Sequence, residues 1–484
     1  MTFNAQEIKE RFGYLPGNEP FILEKQKSPF GTTAQQMSLY SEMFYSSEAA
    51  VLFSDGHFIG LMLQVEAALA RAQATNGLVP ESAADTIGDC CKASEIDLEL
   101  LKTEVKLGGN AAIPLVKQLT QLVKKRDAEA VKFVHLGATS QDVVDTATVL
   151  QIREFCTWAD QKLSLLEEVL AALTRKHRNT LMIGRTLLQQ AKPITFGLKT
   201  AGWLESIGRS RQRILEIKKH VSVIQLAGAV GSGNPHISKA VQQAFADILG
   251  LDTAHSWHSH RDRFAESAAV FGILTGSIGK IATDVALLMQ TEVGEVLEGA
   301  ADGKGGSSTM PHKRNPVTCA AILANANRTP QLVATMLAAM PQEHERSAGL
   351  WHSEWDVLSE IMQLTAGAIE RAIELVAGLE VDEKRMLHNL ELTHGLIYAE
   401  NVSLALAPVI GKAAAHELVE KACKTAVAGQ KHLKEILLEA SEGMTLSHLL
   451  TINPAGLNDL FKPENAIGSS LEIIDDILAK FAKQ

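Results

Sequence analysis

From Asp142 to about His177 the chain carries no glycine and no proline, and its apolar residues Val143, Ala147, Leu150, Phe155, Trp158, Leu165, Leu166, Val169 and Leu173 recur mostly at steps of three and four. That spacing is the period of one helix face. The helix it predicts is roughly fifty ångströms long at 1.5 Å per residue, beyond the ordinary globular length. Three similar segments follow at about 194–226, 262–298 and 316–340, and a fifth runs from about 352 to 377. A stripe of that length needs neighbours of the same length, so the predicted fold class is all-α, with long antiparallel helices in a bundle. Aromatic residues are only 5% of the chain; Ala, Leu, Val and Ile fill the repeating faces and allow close approach. Apolar residues on more than one face of the 262–298 segment predict burial inside an oligomer. Hardly any alternating strand pattern is present.

With 484 residues and 46% hydrophobic content the chain is long enough for several domains and a large core. Composition and punctuation divide it into an N-terminal extension (1–38), rich in Pro and Gly among polar residues, an N-terminal helical domain (39–141), a central helix-bundle domain (142–380) and a C-terminal helical domain (381–484). The net charge of −10 and the lack of any Lys/Arg stripe argue against nucleic acid as a partner. No run of eighteen apolar residues occurs and the N-terminus mixes acids with bases, which predicts a cytoplasmic protein with no membrane partner. Five cysteines without CxxC or Cys/His spacing fit a reducing compartment.

The dense polar groups lie in three loops far apart in sequence. The first is His135-Leu-Gly-Ala-Thr139-Ser140-Gln141-Asp142, the second Gly184-Arg185-Thr186-Leu187-Leu188-Gln189-Gln190, the third Gly305-Gly306-Ser307-Ser308-Thr309-Met310-Pro311-His312-Lys313-Arg314-Asn315-Pro316. In the third, four glycines from Gly299 to Gly306 and the prolines 311 and 316 predict a mobile loop ending at a helix that starts near Pro316. Lys313 and Asn315 then flank a helix N-terminus, where negative charge is favoured. Thr139 and Ser140 are also suited to cap the helix that follows, and Arg185 and Thr186 to form a turn. Three loops rich in hydroxyl, amide and cationic donors and poor in acids together predict a pocket for carboxylates. Acids and histidines do not converge at ligand spacing, so no metal is expected.

These strings resemble the fumarase, aspartase and adenylosuccinate lyase superfamily: GSSTMPHKRNP its shared loop, TSQD its helix-initiating motif, and Gln225 to Ser232 (QLAGAVGS) a third stretch. Within it, VHLGATSQDVVDTATVLQ, GGNAAIPLVKQL, WHSHRDRFAE, LLMQTEVGEV and AMPQEHERSAGLWHSEW are most similar to the muconate-cycloisomerising branch, over nearly everything from about Tyr40 to about Ile436. The resemblance implies a three-domain all-α chain with a central five-helix bundle. It also implies a homotetramer with a twenty-helix core and active sites shared between subunits. It implies that Ser307 exchanges the proton α to a carboxylate and that Lys313 and Asn315 stabilise the aci-carboxylate formed. Thr139, Ser140 and Gln141 would bind substrate carboxylates. Arg185, Thr186, Gln225, Ser308, Met310 and His312 join them as substrate-binding candidates, and Arg346 as a bidentate partner for an extra carboxylate. The substrate implied is a small di- or tricarboxylate, with no cofactor, because the reaction moves a proton and one C–O bond.

Departures narrow the choice. Adenylosuccinate and argininosuccinate lyases carry a histidine where this chain has Leu187, so an amine leaving group would lack its acid. Members of the muconate branch tend to have a histidine where this chain has Gln190. The upstream histidine–aspartate pair of adenylosuccinate lyases is Asn110-Ala111 here, and their phosphate arginine aligns with Trp355. The reading is therefore lactonisation of a carboxymuconate, the alternatives being a lyase that forms fumarate from a substituted succinate and a silent scaffold of the same fold. Intact Ser307, Lys313 and Asn315 weigh against the last.

Overall fold

The structure is a computed structural model that describes residues 39–301, 303–306, 309–310, 312–440 and 454–482. The N-terminal extension, Ser307 and Ser308 therefore lie outside the described residues.

The described chain is built almost entirely of helices. After a single turn at Ser41–Phe44 come α1 (Asp55–Thr75), α2 (Glu81–Cys90), α3 (Leu98–Gly108) and α4 (Ala112–Arg126). The bundle follows as α5 (Ser140–Lys176), α6 (Phe196–Val221), a short α7 (Lys239–Leu249), α8 (Asp262–Leu288), α9 (Val317–Ala338) and α10 (Leu350–Ala377). Then come α11 (Glu383–Leu390), α12 (Ala399–Ile410), α13 (Lys412–Gly429), α14 (Leu433–Ala440), α15 (Pro454–Leu460) and α16 (Ser470–Phe481).

In the bundle α8 packs on α6, α9 and α10, while α5 packs on α6 and α10. The periodicity that predicts α5 is what buries it: Val143, Ala147, Leu150, Phe155, Leu166 and Leu170 are all in the core. Phe155 meets Phe271 of α8 edge to face at 5.1 Å between ring centroids, and dispersion at such contacts adds to the area removed from water. Small residues set the helix spacing, since a Cβ on Gly279 would stand 2.8 Å from the Cβ of Ala326 in α9.

Two segments depart from the sequence expectation. The stretch between α5 and α6 forms an antiparallel hairpin, β1 (Leu181–Thr186) and β2 (Gln189–Thr195), with a register shift between Ile183 and Arg185. The helix expected over 262–298 stops at Leu288. Gly294 turns the chain at φ +61°, and Val296–Leu297 (β3) pairs with Glu380–Val381 (β4).

α8 is the one helix among the described residues long and apolar enough to cross a membrane by length and composition. On this chain it is a bundle helix whose Ile273 is nonetheless 48% exposed.

Candidate active site

Thr139 has extended backbone (φ −120°, ψ 160°) and stands at the N-cap of α5. Its N–H donates to the Asp142 carboxylate at 3.0 Å, the reciprocal half of a capping box. Asp142 is buried and takes three further donors: the N–H groups of Ala227 and Gly228 at 3.0 and 2.9 Å and His258 Nε2 at 2.9 Å. One carboxylate thus ties the start of α5 to the Gln225–Ser232 loop and to the segment before α8. A buried charge persists only with such compensation, which makes the aspartate of TSQD a scaffold for its neighbours.

Gln141 is wholly buried, and its Nε2 donates to Asp145 Oδ2 at 3.1 Å and to the His258 carbonyl at 2.9 Å. Its Oε1 therefore faces Arg346, whose Nε donates to it at 3.1 Å. The terminal nitrogens of Arg346 donate to Thr139 Oγ1 at 2.7 Å and Ser140 Oγ at 3.1 Å. Four of the sequence-predicted residues thus converge, across about two hundred positions of chain. Gln141 sits behind this cluster with both ends of its amide spent on protein, so it is a support where a direct carboxylate contact was expected. Among the described residues no carboxylate pairs with Arg346, leaving a half-buried cation among hydroxyls, the electrostatic condition for holding an anion.

Asp145 anchors the far side. It accepts from Arg261 at 2.7 and 3.0 Å and from Trp351 Nε1 at 3.0 Å, and Arg261 reaches Glu354 at 2.6 Å. All three ionic groups are buried. Desolvation pushes the Glu354 carboxyl up despite Arg261. For Arg261 burial works to lower the pKa, yet the two carboxylates outweigh it and the net direction is up. The acids Asp145 and Glu354 were missed in the sequence, although Glu354 is a lone charge on an apolar helix face and Asp145 follows Asp142 by one turn of α5.

His135 stands at the mouth of the same loop with φ +55°, its Nδ1 2.6 Å from the buried Glu66 carboxylate. Burial lowers its pKa, but Glu66 more than compensates and the net direction is up. Gln225 is buried too; its Oε1 accepts the Trp257 N–H at 3.1 Å, while its Nε2 has no partner among the described residues.

The remaining candidates lie elsewhere on the chain. Arg185, expected to meet a substrate carboxylate, is instead bonded to the fully buried Glu295 at 2.6 and 2.9 Å. Thr186 is exposed at the hairpin tip beside Leu187 and Leu188, which are 96% and 76% exposed and both left-handed, with φ +50° and +64°. In the third loop Met310, His312 and Lys313 are exposed. Asn315 donates its backbone N–H to the Gly305 carbonyl at 2.8 Å, and a Cβ on Gly305 would stand 2.7 Å from Asn315 O. The N-terminus of α9 already holds an anion: Glu298 accepts from Thr318 and Cys319 N–H at 3.1 and 2.7 Å. The helix field expected to meet a ligand there is thus spent largely on this buried side chain.

The clusters occupy opposite ends of the bundle. Thr139, Gln225, His258 and Arg346 gather where α5, α8 and α10 begin, whereas Arg185 and the third loop gather where α8 ends. At 1.5 Å per residue the 27 residues of α8 separate them by about 40 Å. Among the described residues no cluster of His, Cys, Asp and Glu is arranged to hold a metal.

A lyase family model matches residues 36–330, and a model for the adenylosuccinate lyase C-terminus matches 395–477. The chain belongs to this family, the fumarase/aspartase superfamily, and is an enzyme of it. It is similar to 3-carboxy-cis,cis-muconate cycloisomerase of Acinetobacter baylyi, at 47% identity over 445 residues covering 91% of this chain and 98% of that protein. The cycloisomerase of Pseudomonas aeruginosa is 46% identical, covering 91% of this chain and 96% of its own. Among solved structures, the 3-carboxy-cis,cis-muconate lactonizing enzyme from Pseudomonas putida matches with TM-score 0.85 and 41% identity, covering 92% of this chain and 99% of that one.

Proposed function

We propose that this chain catalyses the lactonisation of 3-carboxy-cis,cis-muconate to 4-carboxymuconolactone. The observation that carries the reading is the Arg346–Thr139–Ser140 cluster, whose donors suit a carboxylate, on a chain similar along nearly its whole length to muconate cycloisomerases. A carboxylate oxygen of the substrate adds across a double bond, forming the C–O bond as the π bond breaks. The electron pair moves onto the neighbouring carboxylate as an aci-carboxylate, and a proton delivered to the α carbon completes the isomerisation. Such a dianionic intermediate needs fixed donors and positive charge, roles we give to Lys313 and Asn315, with Ser307 as the proton donor. Leu187 suits the same chemistry, because an internal carboxylate nucleophile leaves no amine to protonate.

The separation of the clusters supports a reading of the assembly. Residues about 40 Å apart on one chain cannot meet one small substrate, so we propose a homotetramer in which different copies supply the Thr139–Arg346 cluster, the hairpin tip and the Lys313 loop to each site. The exposed apolar positions of α8 support that burial. We also propose the partition 39–141, 142–380 and 381–484, with the middle part forming the assembly core. Five free cysteines support a cytoplasmic setting. The test is direct: incubation with 3-carboxy-cis,cis-muconate should yield the lactone, and an inert protein would refute the reading.

A further inference from the structure

A guanidinium has only donors to offer, so where Arg346 meets Thr139 Oγ1 and Ser140 Oγ both hydroxyl oxygens act as acceptors. Ser140 Oγ also faces Asn110 Nδ2 at 3.4 Å, which occupies its second lone pair. A hydroxyl filled in this way has only its hydrogen left to give. Among the described residues neither hydroxyl hydrogen has an acceptor, and both side chains are half-buried at the open side of the cluster. Arg346 itself is held from behind. Gln141 cannot turn its amide without losing Asp145 and the His258 carbonyl, so its oxygen fixes the Arg346 Nε, and the Trp351 ring lies 5.9 Å from the guanidinium carbon.

We propose that Arg346 is a positioning residue, which turns the Thr139 and Ser140 hydroxyls outward as a matched pair of donors for a substrate carboxylate, and does not itself form the ion pair. The inference rests on the carboxylate reading of this site and deepens it. The buried chain from Glu354 through Arg261, Asp145 and Gln141 then sets the direction of two O–H bonds. Asn110 adds to the same end, at the position where adenylosuccinate lyases carry a histidine.

A double-mutant cycle separates the two roles. Binding of propane-1,2,3-tricarboxylate is measured by titration calorimetry, and KM and kcat on carboxymuconate are measured alongside. Arg346→Gln should weaken tricarboxylate binding about tenfold or more, as for lost hydrogen bonds to a charged group. In a Thr139→Ala/Ser140→Ala background the same substitution should cost less than about threefold. Arg346→Lys keeps the charge but cannot span both hydroxyls, and should fall nearly as far as Arg346→Gln while folding normally. Additive losses, or an Arg346→Lys protein that binds almost as well as the parent, would overturn the inference while leaving the function intact. A parent protein that binds no tricarboxylate would overturn the inference and the carboxylate reading together.

Discussion

Arg185 clasps Glu295 through both terminal nitrogens, at 2.6 and 2.9 Å, and Asn389 Nδ2 reaches the same buried carboxylate at 2.8 Å. The hairpin is thereby fixed to the segment leading into the glycine-rich loop, at the end of the bundle away from Thr139. A guanidinium committed in this way orients the hairpin and leaves its tip, Thr186 to Leu188, exposed.

This arrangement predicts complementation between copies. A Ser140→Ala protein and a Lys313→Ala protein, each nearly inactive, should regain part of the parent activity when dissociated and re-associated together, because some hybrid sites then draw both intact residues from different chains. Light scattering on the parent should give a tetramer mass. Mixed assemblies of confirmed hybrid composition with no recovered activity would contradict shared sites.

The tip itself stores strain. Leu187 and Leu188 form a two-residue loop between the paired residues Thr186 and Gln189, both at positive φ, a conformation that Asn-Gly adopts readily and leucine does not. Leu187→Asn/Leu188→Gly should leave the thermal midpoint unchanged or raise it, yet lower activity several-fold or more as the apolar tip is lost. Leu187→His should lower cycloisomerase activity without creating adenylosuccinate cleavage, since the family resemblance puts Trp355 in place of the phosphate arginine of adenylosuccinate lyases. Unchanged activity in the Asn-Gly protein would remove the tip from the site.

His135 gives the fold a pH dependence of known sign. Its folded pKa lies above the ordinary 6.5 because Glu66 outweighs burial, so the stabilisation is fully present below about 6.5 and is lost as pH rises through the raised value. His135→Asn keeps a residue that tolerates φ +55° and removes the titrating imidazole together with its contact to Glu66. Denaturant midpoints should show a larger loss at pH 5.5 than at pH 9, compared at equal protomer concentration. A loss that grew with pH would mean that Glu66 does not hold an imidazolium.

The helix α5 was legible because nothing in it competes: it has no Gly or Pro and keeps one apolar face throughout. The hairpin was not, since LMIGRT and QQAKPIT hold a glycine, a proline and no clean alternation, and the carboxylate that anchors its Arg185, Glu295, lies more than a hundred residues away. The early end of α8 was hidden for a related reason. Glu298 reads as one more polar residue until α9 delivers two N–H groups to it. Thr139, Ser140 and Arg346 could be named singly as anion binders, but their convergence is tertiary, and so is the withdrawal of Gln141 and Arg185 into supporting bonds. Ser307 and Ser308 rest on the motif alone.

We propose that this protein forms a lactone from 3-carboxy-cis,cis-muconate by protonation at the carbon α to a carboxylate. The most direct measurement follows the ultraviolet absorbance of the conjugated diene on adding parent and Ser307→Ala proteins, with the product identified by NMR in deuterated water. The parent should bleach the diene and give 4-carboxymuconolactone carrying one deuterium at that carbon. Ser307→Ala should turn over about a hundredfold or more slowly, with KM little changed. A parent protein that leaves the diene intact, or a Ser307→Ala protein that bleaches it at the parent rate, would contradict the account.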